Sequence, residues 1–378
     1  MASTTASLTT NEQGVAILAG GIFGALIHYT VFRHGEWHIQ APEVIVAHGV
    51  IAALLTFRGS FKADPALSLL LDAVSLAYYY GYFVGITTSI IVYRVFFHRL
   101  AKAGYPGPWY AKISKIWHVY AARYGKNHEV LDALHHKYGD IVRTGPAEVT
   151  VFTPDAFQIL DGPRTTCTKA EFYDMLKGLG YQSLVNIRQA SEQKIERRRE
   201  WQHGFLKTSI EHYQKRVSPH IDQVVNLLAE DARNGRESQM SDYVYWFSFD
   251  AMGEFVFSKS FGMLENQEPS PVIRRLQSAL FLLAPLGPAP WLLQAGLRLG
   301  PKVWAIKDFY DTLDWCGGQM VKRLERMAMP KDSEEKKNPQ NDLAYHLMES
   351  KRGSSGKERT WNMAWLTGDS LLAIVAGR

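Results

Sequence analysis

A chain of 378 residues, 46% of them hydrophobic, has room for one large domain or two ordinary ones. Its formal net charge of +5 is slight for that length, and no Lys/Arg-rich block alternates with aromatics, which argues against nucleic acid as a partner. Two cysteines exclude a disulfide framework and any four-cysteine zinc site.

In chain order, three apolar runs come first, at residues 15–32, 44–57 and 73–93. A membrane span needs about 20 apolar residues. The first run, broken only by His28 and Thr30, and the third, aromatic-rich and free of charge, meet that length; the second, with His48, is marginal. No Lys or Arg precedes the first run, which argues against a cleaved secretory signal. Arg94, Arg99, Lys102, Lys112 and Lys115 crowd the exit of the third, so the positive-inside rule puts the chain beyond it in the cytosol. Residues 1–104 therefore read as a membrane region of two to three transmembrane segments, with the lipid bilayer as partner.

Tyr105-Pro106-Gly107-Pro108-Trp109 is a stiff elbow, because each proline fixes its own backbone and biases its neighbour to extended geometry. Residues 127–138 follow as a helix with Val130, Leu131 and Leu134 on one face. Two strands at 140–143 and 148–152, joined by a Thr-Gly-Pro turn, come next. Pro154 and Gly162-Pro163 bracket a short helix at 155–160, and from Ser191 onward the period is helical, including 308–326. Residues 332–340 and 351–359 have linker composition. The last helix starts near Thr360 and ends in Leu371-Leu372-Ala373-Ile374-Val375-Ala376-Gly377-Arg378. It reads as apolar on every side and so belongs in a core. Nothing in the chain follows to cover it.

Several local patterns, in one order, carry a resemblance. After the Pro-Gly-Pro-Trp hinge come Lys137-Tyr138-Gly139-Asp140-Ile141-Val142-Arg143-Thr144-Gly145-Pro146, then Lys194-Ile195-Glu196-Arg197-Arg198-Arg199-Glu200-Trp201 through Phe205. Phe249-Asp250-Ala251-Met252-Gly253-Glu254 leads to Phe257-Ser258-Lys259-Ser260-Phe261-Gly262-Met263-Leu264, and Ala376-Gly377-Arg378 opens an Ala-Gly-x-Asp/Glu-Thr motif. From about Tyr105 to Arg378 the chain resembles the N-terminal part of a membrane-anchored fungal cytochrome P-450 monooxygenase. The resemblance implies a mainly α fold with a small β-sheet, incomplete, ending within the family's long central helix over residues 105–378.

It also implies haem as cofactor, NADPH-cytochrome reductase as electron donor and a lipophilic small molecule as substrate, with a secondary metabolite as a natural choice. In the family's third helix, a His or Trp and an Arg one turn later contact a haem propionate; Lys194 and Arg198 hold those positions here. Ala376 and Gly377 match the small residues of the oxygen-side groove. The segment 164–190, with Phe172, Tyr173, Met175, Leu176, Leu179 and Tyr181, matches one that contributes substrate contacts.

The family's axial thiolate lies in a Phe-x-x-Gly-x-Arg-x-Cys-x-Gly loop beyond the central helix. Around Cys167 no motif position matches, and around Cys316 only Phe309 and Gly318 do, within a helical stretch. Cys316 reads instead as a partly buried small residue. Glu196/Arg199 and Glu230/Arg233 have Glu-x-x-Arg spacing but read as solvated helix pairs. His135-His136, adjacent on a helix, cannot chelate one metal together. No catalytic or metal-ligating residue is expected, and the 378-residue chain alone is expected to lack monooxygenase activity, either as a decayed gene or as a gene reading that ends early. The expected location is the endoplasmic reticulum membrane, multi-pass, with the soluble part cytosolic. The competing reading is a non-enzymatic membrane-anchored helical protein that binds a partner or lipid.

Overall fold

The computed structural model describes residues 2–57, 65–162, 165–189, 191–329, 342–349 and 362–376. It is mostly helical with one two-stranded sheet, and it divides into two compact units: residues 1–167 with 284–299, and residues 168–283 with 300–378.

In the first unit, α1 (Ala2–Ile27) runs into a π-turn at His28–Phe32, and α2 (Ala41–Phe57) and α3 (Pro65–Val92) follow. Two helical stretches, Asn11–Phe32 and Ala73–Lys102, are long and apolar enough to cross a membrane, whereas Ala41–Leu55 is shorter. Glycines decide how α1 and α3 meet. A Cβ on Gly81 would lie 2.1 Å from the Ile17 carbonyl oxygen, and one on Gly85 2.1 Å from that of Gly21. A Cβ on Gly20 would stand 2.0 Å from the Tyr78 carbonyl and one on Gly24 2.2 Å from that of Tyr82. Gly20/Gly24 and Gly81/Gly85 are thus two facing small-xxx-small stripes that bring backbone against backbone, the contact that replaces hydrophobic burial where the solvent is itself apolar. Residue numbers rise together across the seam, so α1 and α3 run parallel and the chain returns between them.

The polar side chains within these helices are satisfied locally. His28 Nδ1 shares a hydrogen bond with Ser89 Oγ (2.8 Å), His48 Nε2 one with the Tyr82 hydroxyl (3.0 Å), and the Tyr79 hydroxyl donates to the His48 carbonyl (2.6 Å). Leu18, Ile22 and Leu26 are exposed on the outer side of α1. α4 (Arg99–Lys102) ends this region.

The proline elbow is held by one buried cation. Arg143, 1% exposed, donates from Nη2 to the carbonyls of Pro146 (2.7 Å) and Arg94 (3.2 Å) and from Nε to that of Gly145 (3.2 Å), while its backbone N–H reaches the Pro106 carbonyl (2.7 Å). Gly107, at φ +156°, lets that strand approach: a Cβ there would stand 2.4 Å from the Arg143 carbonyl oxygen. Beyond the elbow are α5 (Ile116–Ala121) and α6 (Asn127–Tyr138), with the bounds of α6 as expected. Strands β1 (Ile141–Gly145) and β2 (Glu148–Val151) pair antiparallel, Ile141 opposite Val151, with a register shift before the turn. The turn is tighter than the sequence suggested, because Thr144 and Gly145 continue β1. The short helix α7 is Ala156–Asp161. His135 stacks on Phe152 (4.4 Å between centroids) and meets Asp140 at 2.9 Å.

The second unit contains α8 (Glu192–His203), α9 (Lys207–Arg233), α10 (Met240–Phe257), α11 (Met263–Asn266) and α12 (Pro271–Leu286), whose last turn falls in the first unit with α13 (Pro290–Leu299). α14 (Trp304–Ala328), α15 (Leu343–Glu349) and α16 (Met363–Ala376) complete it. Within the first unit, Arg298 of α13 pairs with Glu43 of α2. In the second, Asp250 accepts from the amides of Met263 (3.1 Å) and Leu264 (2.8 Å), which fixes α11 against α10 through a buried carboxylate. Asp342 caps α15 by accepting from the Tyr345 amide (2.7 Å) and meets Arg323 at 3.3 Å. α14 packs closely on α16, where Cys316 and Gly317 lie against Ser370 and Thr367; a Cβ on Gly317 would be 3.1 Å from Thr367 Oγ1.

Two expectations about single residues need correction. Glu230 pairs with Arg236 (3.2 Å), while Arg233 donates instead to the Ala229 carbonyl (3.2 Å), because the loop after α9 brings a better-placed cation. Cys316 is fully buried rather than partly so.

Candidate functional site

α16 is the wall on which the site is built. Its sequence reads as uniformly apolar, yet it carries Asp369, which is 0% exposed. That carboxylate accepts from Arg197 Nε of α8 (2.5 Å) and from the Leu184 backbone amide (2.8 Å). Arg197 also binds Glu200 one turn on, and its guanidinium lies over the Trp365 ring at 5.5 Å. Burial pushes the Asp369 carboxyl upward and the Arg197 charge opposes it. The network ties three separate pieces together: α8, α16 and the loop before α8. Gly368 completes the join, since a Cβ there would stand 2.0 Å from the Gln182 carbonyl, and the Gln182 amide donates to the Ala364 carbonyl (3.2 Å).

Pinned in this way, the loop closes a chamber of about 180 Å³ with α12, α14 and α16. Phe172, Tyr173, Met175 and Leu176 line one side, Leu276, Ala279, Leu280 and Leu283 of α12 a second, and Leu371, Leu372 and Val375 of α16 a third. Its few polar groups turn away to internal partners. Ser183 Oγ bonds Asn186, Asn186 Nδ2 donates to the Tyr173 carbonyl, and Thr312 Oγ1 to the Asp308 carbonyl (2.7 Å). The surface that remains is hydrocarbon, so it favours an uncharged lipophilic occupant and disfavours an ion, which would lose its hydration without compensation. Of the segment singled out in the sequence, Phe172, Tyr173, Met175 and Leu176 do line this chamber, while Leu179 and Tyr181 are not among its lining residues.

Ser191 caps α8 through the Lys194 amide (3.2 Å). Lys194 is half-buried and Arg198 exposed, one turn apart on a face adjoining the one that carries Arg197. Neither makes an ion pair among the described residues. Ala376 is exposed at the end of α16; Gly377 lies outside the described residues. The sequence therefore named the two outward cations of α8 and missed the inward one, together with Glu200 and Asp369. The available signal was the single carboxylate in an otherwise apolar helix.

The sequence profile of the cytochrome P450 family matches residues 106–377. The chain belongs to the cytochrome P450 family. It is 29% identical over 368 residues to a tryprostatin B 6-hydroxylase of Neosartorya fischeri, covering 96% of this chain and 63% of that protein. It is 30% identical over 296 residues to the cytochrome P450 monooxygenase phqL of Penicillium fellutanum, covering 76% and 50%, and 29% identical over 276 residues to the monooxygenase FCK2 of Fusarium pseudograminearum, covering 72% and 48%. The chain spans about half to just under two thirds of the length of these relatives.

The family's cofactor is haem, and the residues present fit it in part. Lys194 and Arg198, two cations of α8 without ion-pair partners among the described residues, suit the carboxylates of a porphyrin edge. The sulfurs do not suit the iron. Cys316 sits in the middle of α14, fully buried against Ser370, and burial pushes its thiol up to about 12, away from the thiolate that an iron ligand requires. Cys167 is exposed in a loop and is not among the residues that line the chamber.

Proposed function

We propose that this chain supplies the substrate chamber and the haem-facing helices of a monooxygenase that oxidises a neutral lipophilic small molecule, in the manner of the fungal relatives that it resembles. The observation that carries the reading is the chamber itself: a hydrocarbon surface on which Ser183, Asn186 and Thr312 are turned to internal partners, walled by the helix whose end matches the family's oxygen-side motif. When bound, haem supplies the activation of dioxygen. The residues of this chain do the rest of what is proposed here. Leu280, Leu372 and Phe172 hold the substrate by apolar contact, and the Arg197–Asp369 join fixes the wall against which it rests. Lys194 and Arg198 would hold the cofactor's carboxylates as two positive charges, and Ala376 would leave room beside it. A secondary metabolite fits both the chamber's chemistry and the company of a tryprostatin B hydroxylase.

The membrane region is proposed to be residues 1–104, crossing the endoplasmic reticulum membrane, with the cytochrome P450 domain from residue 105 in the cytosol, accessible to an NADPH-dependent reductase. The parallel course of α1 and α3 supports α2 as a return crossing, since two parallel spans require one between them. The chamber reading is tested by equilibrium binding of cyclohexane, a neutral one-ring lipophile of the size that about 180 Å³ admits, to the full chain in lipid nanodiscs, with uptake by empty discs subtracted. A single saturable site is expected, weakened at least about tenfold by Leu280→Trp, because an indole forced into a filled apolar cavity costs about 1–3 kcal/mol. Unchanged binding in that variant, with the fold intact by circular dichroism, refutes the assignment.

A further inference from the structure

A second cavity, of about 290 Å³, lies in the second unit among the end of α10, the turn before α11, the start of α12 and the middle of α14. No chamber residue lines it. Three aromatic side chains make its walls: the Trp315 ring lies edge-on to Phe257 (5.6 Å, 86°) and tilted against Phe261 (5.6 Å, 35°). Two cations, Lys259 and Arg275, belong to the lining and are exposed, and neither forms an ion pair among the described residues. Inside, Ser270 Oγ is buried with no hydrogen-bond partner. An orphaned hydroxyl of this kind is costly when left empty and is a common mark of a site that receives a polar group. The frame is rigid. Gly253 admits the Lys259 backbone so closely that a Cβ there would stand 2.4 Å from the Lys259 carbonyl, and the Lys259 amide donates to the Gly253 carbonyl (3.2 Å). Asp311 feels the Arg275 charge, but its carboxylate is already engaged by Lys307 at 2.5 Å.

We propose that this cavity is a binding site for a small aromatic carboxylate, separate from the substrate chamber. The three rings take a flat apolar body through edge and offset contacts, Lys259 and Arg275 take the anionic end, and Ser270 Oγ donates to it. The volume sets the size: a cavity of about 150 Å³ is enough for benzene, so this one holds about two fused rings. The charge sets the class, since a neutral ligand leaves both cations without a partner and a cationic one is repelled. The chemistry is opposite to that of the chamber, which has no charged lining residue, and the inference stands whether or not the haem reading holds.

The probe is naphthalene-2-carboxylate, titrated by calorimetry into the full chain in nanodiscs of uncharged lipid, with the neutral 2-naphthamide as comparison. At low salt the acid is expected to bind about tenfold more tightly than the amide, and that preference is expected to shrink at high salt, as it must for cations at a solvent-facing mouth. Lys259→Gln with Arg275→Gln, both at exposed positions where folding is insensitive, is expected to make the two ligands equal. Val272→Trp is expected to remove binding of both by filling the cavity. Cyclohexane, the probe of the chamber, is expected to leave the acid's affinity unchanged. Equal affinity of acid and amide for the unaltered chain overturns the proposal, and so does a preference for the acid that survives loss of both cations.

Discussion

Asp369→Ala is the most informative single substitution in the second unit. The wild-type carboxylate is fully buried and satisfies Arg197 Nε at 2.5 Å and the Leu184 amide at 2.8 Å. Truncation leaves a buried guanidinium with only Glu200 as its counter-charge and a backbone N–H with no acceptor. Breaking a buried ion pair from one side costs about 3–5 kcal/mol, and an orphaned buried amide accounts for about 1–3 kcal/mol of such a loss. Because Glu200 still neutralises part of the charge, the lower end, about 3 kcal/mol, is expected. Asp369→Asn keeps one acceptor and the shape, and is expected to cost less. Hydrogen exchange read by mass spectrometry is the assay, since it isolates the affected segments in a chain of two units. Residues 181–186 and 363–376 are expected to lose protection together in Asp369→Ala, with the first unit unchanged. If Arg197→Met is then added, the two effects are expected to be non-additive by at least about 1 kcal/mol. Protection at Leu184 that survives Asp369→Ala would falsify the idea that this carboxylate fixes the loop to α16.

Two further outcomes follow from other parts of the structure. Gly81→Leu drives a side chain into the Ile17 backbone and is expected to separate α1 from α3, exposing the first unit to proteolysis in nanodiscs. Gly14→Ala, with nothing within 4 Å, is expected to be neutral or slightly stabilising, as alanine is in an open helix position. Equal resistance of Gly81→Leu and wild type contradicts the seam. His118 is held neutral by burial first and by the Lys115 cation second, both of which keep its pKa below the ordinary 6.5. Its ring nitrogens meet Asn127 Oδ1 (2.6 Å) and Lys115 Nζ (3.0 Å), which suits the neutral imidazole with its proton on Nε2. The unfolded chain thus takes up the proton first as pH falls. Stability is complete above the unfolded value and is lost as pH drops from there toward the folded one. Thermal midpoints between about pH 7 and pH 5 are expected to fall in wild type and to fall less in His118→Gln.

What the sequence revealed and what it hid have one physical explanation. Signals that live on a single segment were legible: the apolar runs at 15–32 and 73–93, the proline elbow, the helix at 127–138, the strand pair and the basic helix α8. Signals that depend on the phase between two segments were not. Arg197 and Arg198 are the same letter side by side, and only the position of α16 decides which turns inward to a carboxylate. The glycines at 20, 24, 81 and 85 are small residues within apolar runs, and their role appears only when the two stripes face each other. Likewise, the aromatic loop at 172–176 announced an apolar surface, but its turn toward α12 and α16 rests on hydrogen bonds from Leu184 and Gln182, about 180 residues from their partners, at a separation no local pattern encodes.

The most direct test of the account is a titration of the full chain with haem, followed at its main absorption band, in wild type, Lys194→Gln/Arg198→Gln and Cys316→Ala. The account predicts uptake that is about three- to tenfold weaker at low salt in the double variant, the scale of two partly exposed ion pairs, converging with wild type at high salt. Cys316→Ala should take up haem as wild type does, and none of the three should give the spectrum of a thiolate-ligated iron. Uptake indifferent to Lys194 and Arg198 but abolished with Cys316 would contradict it.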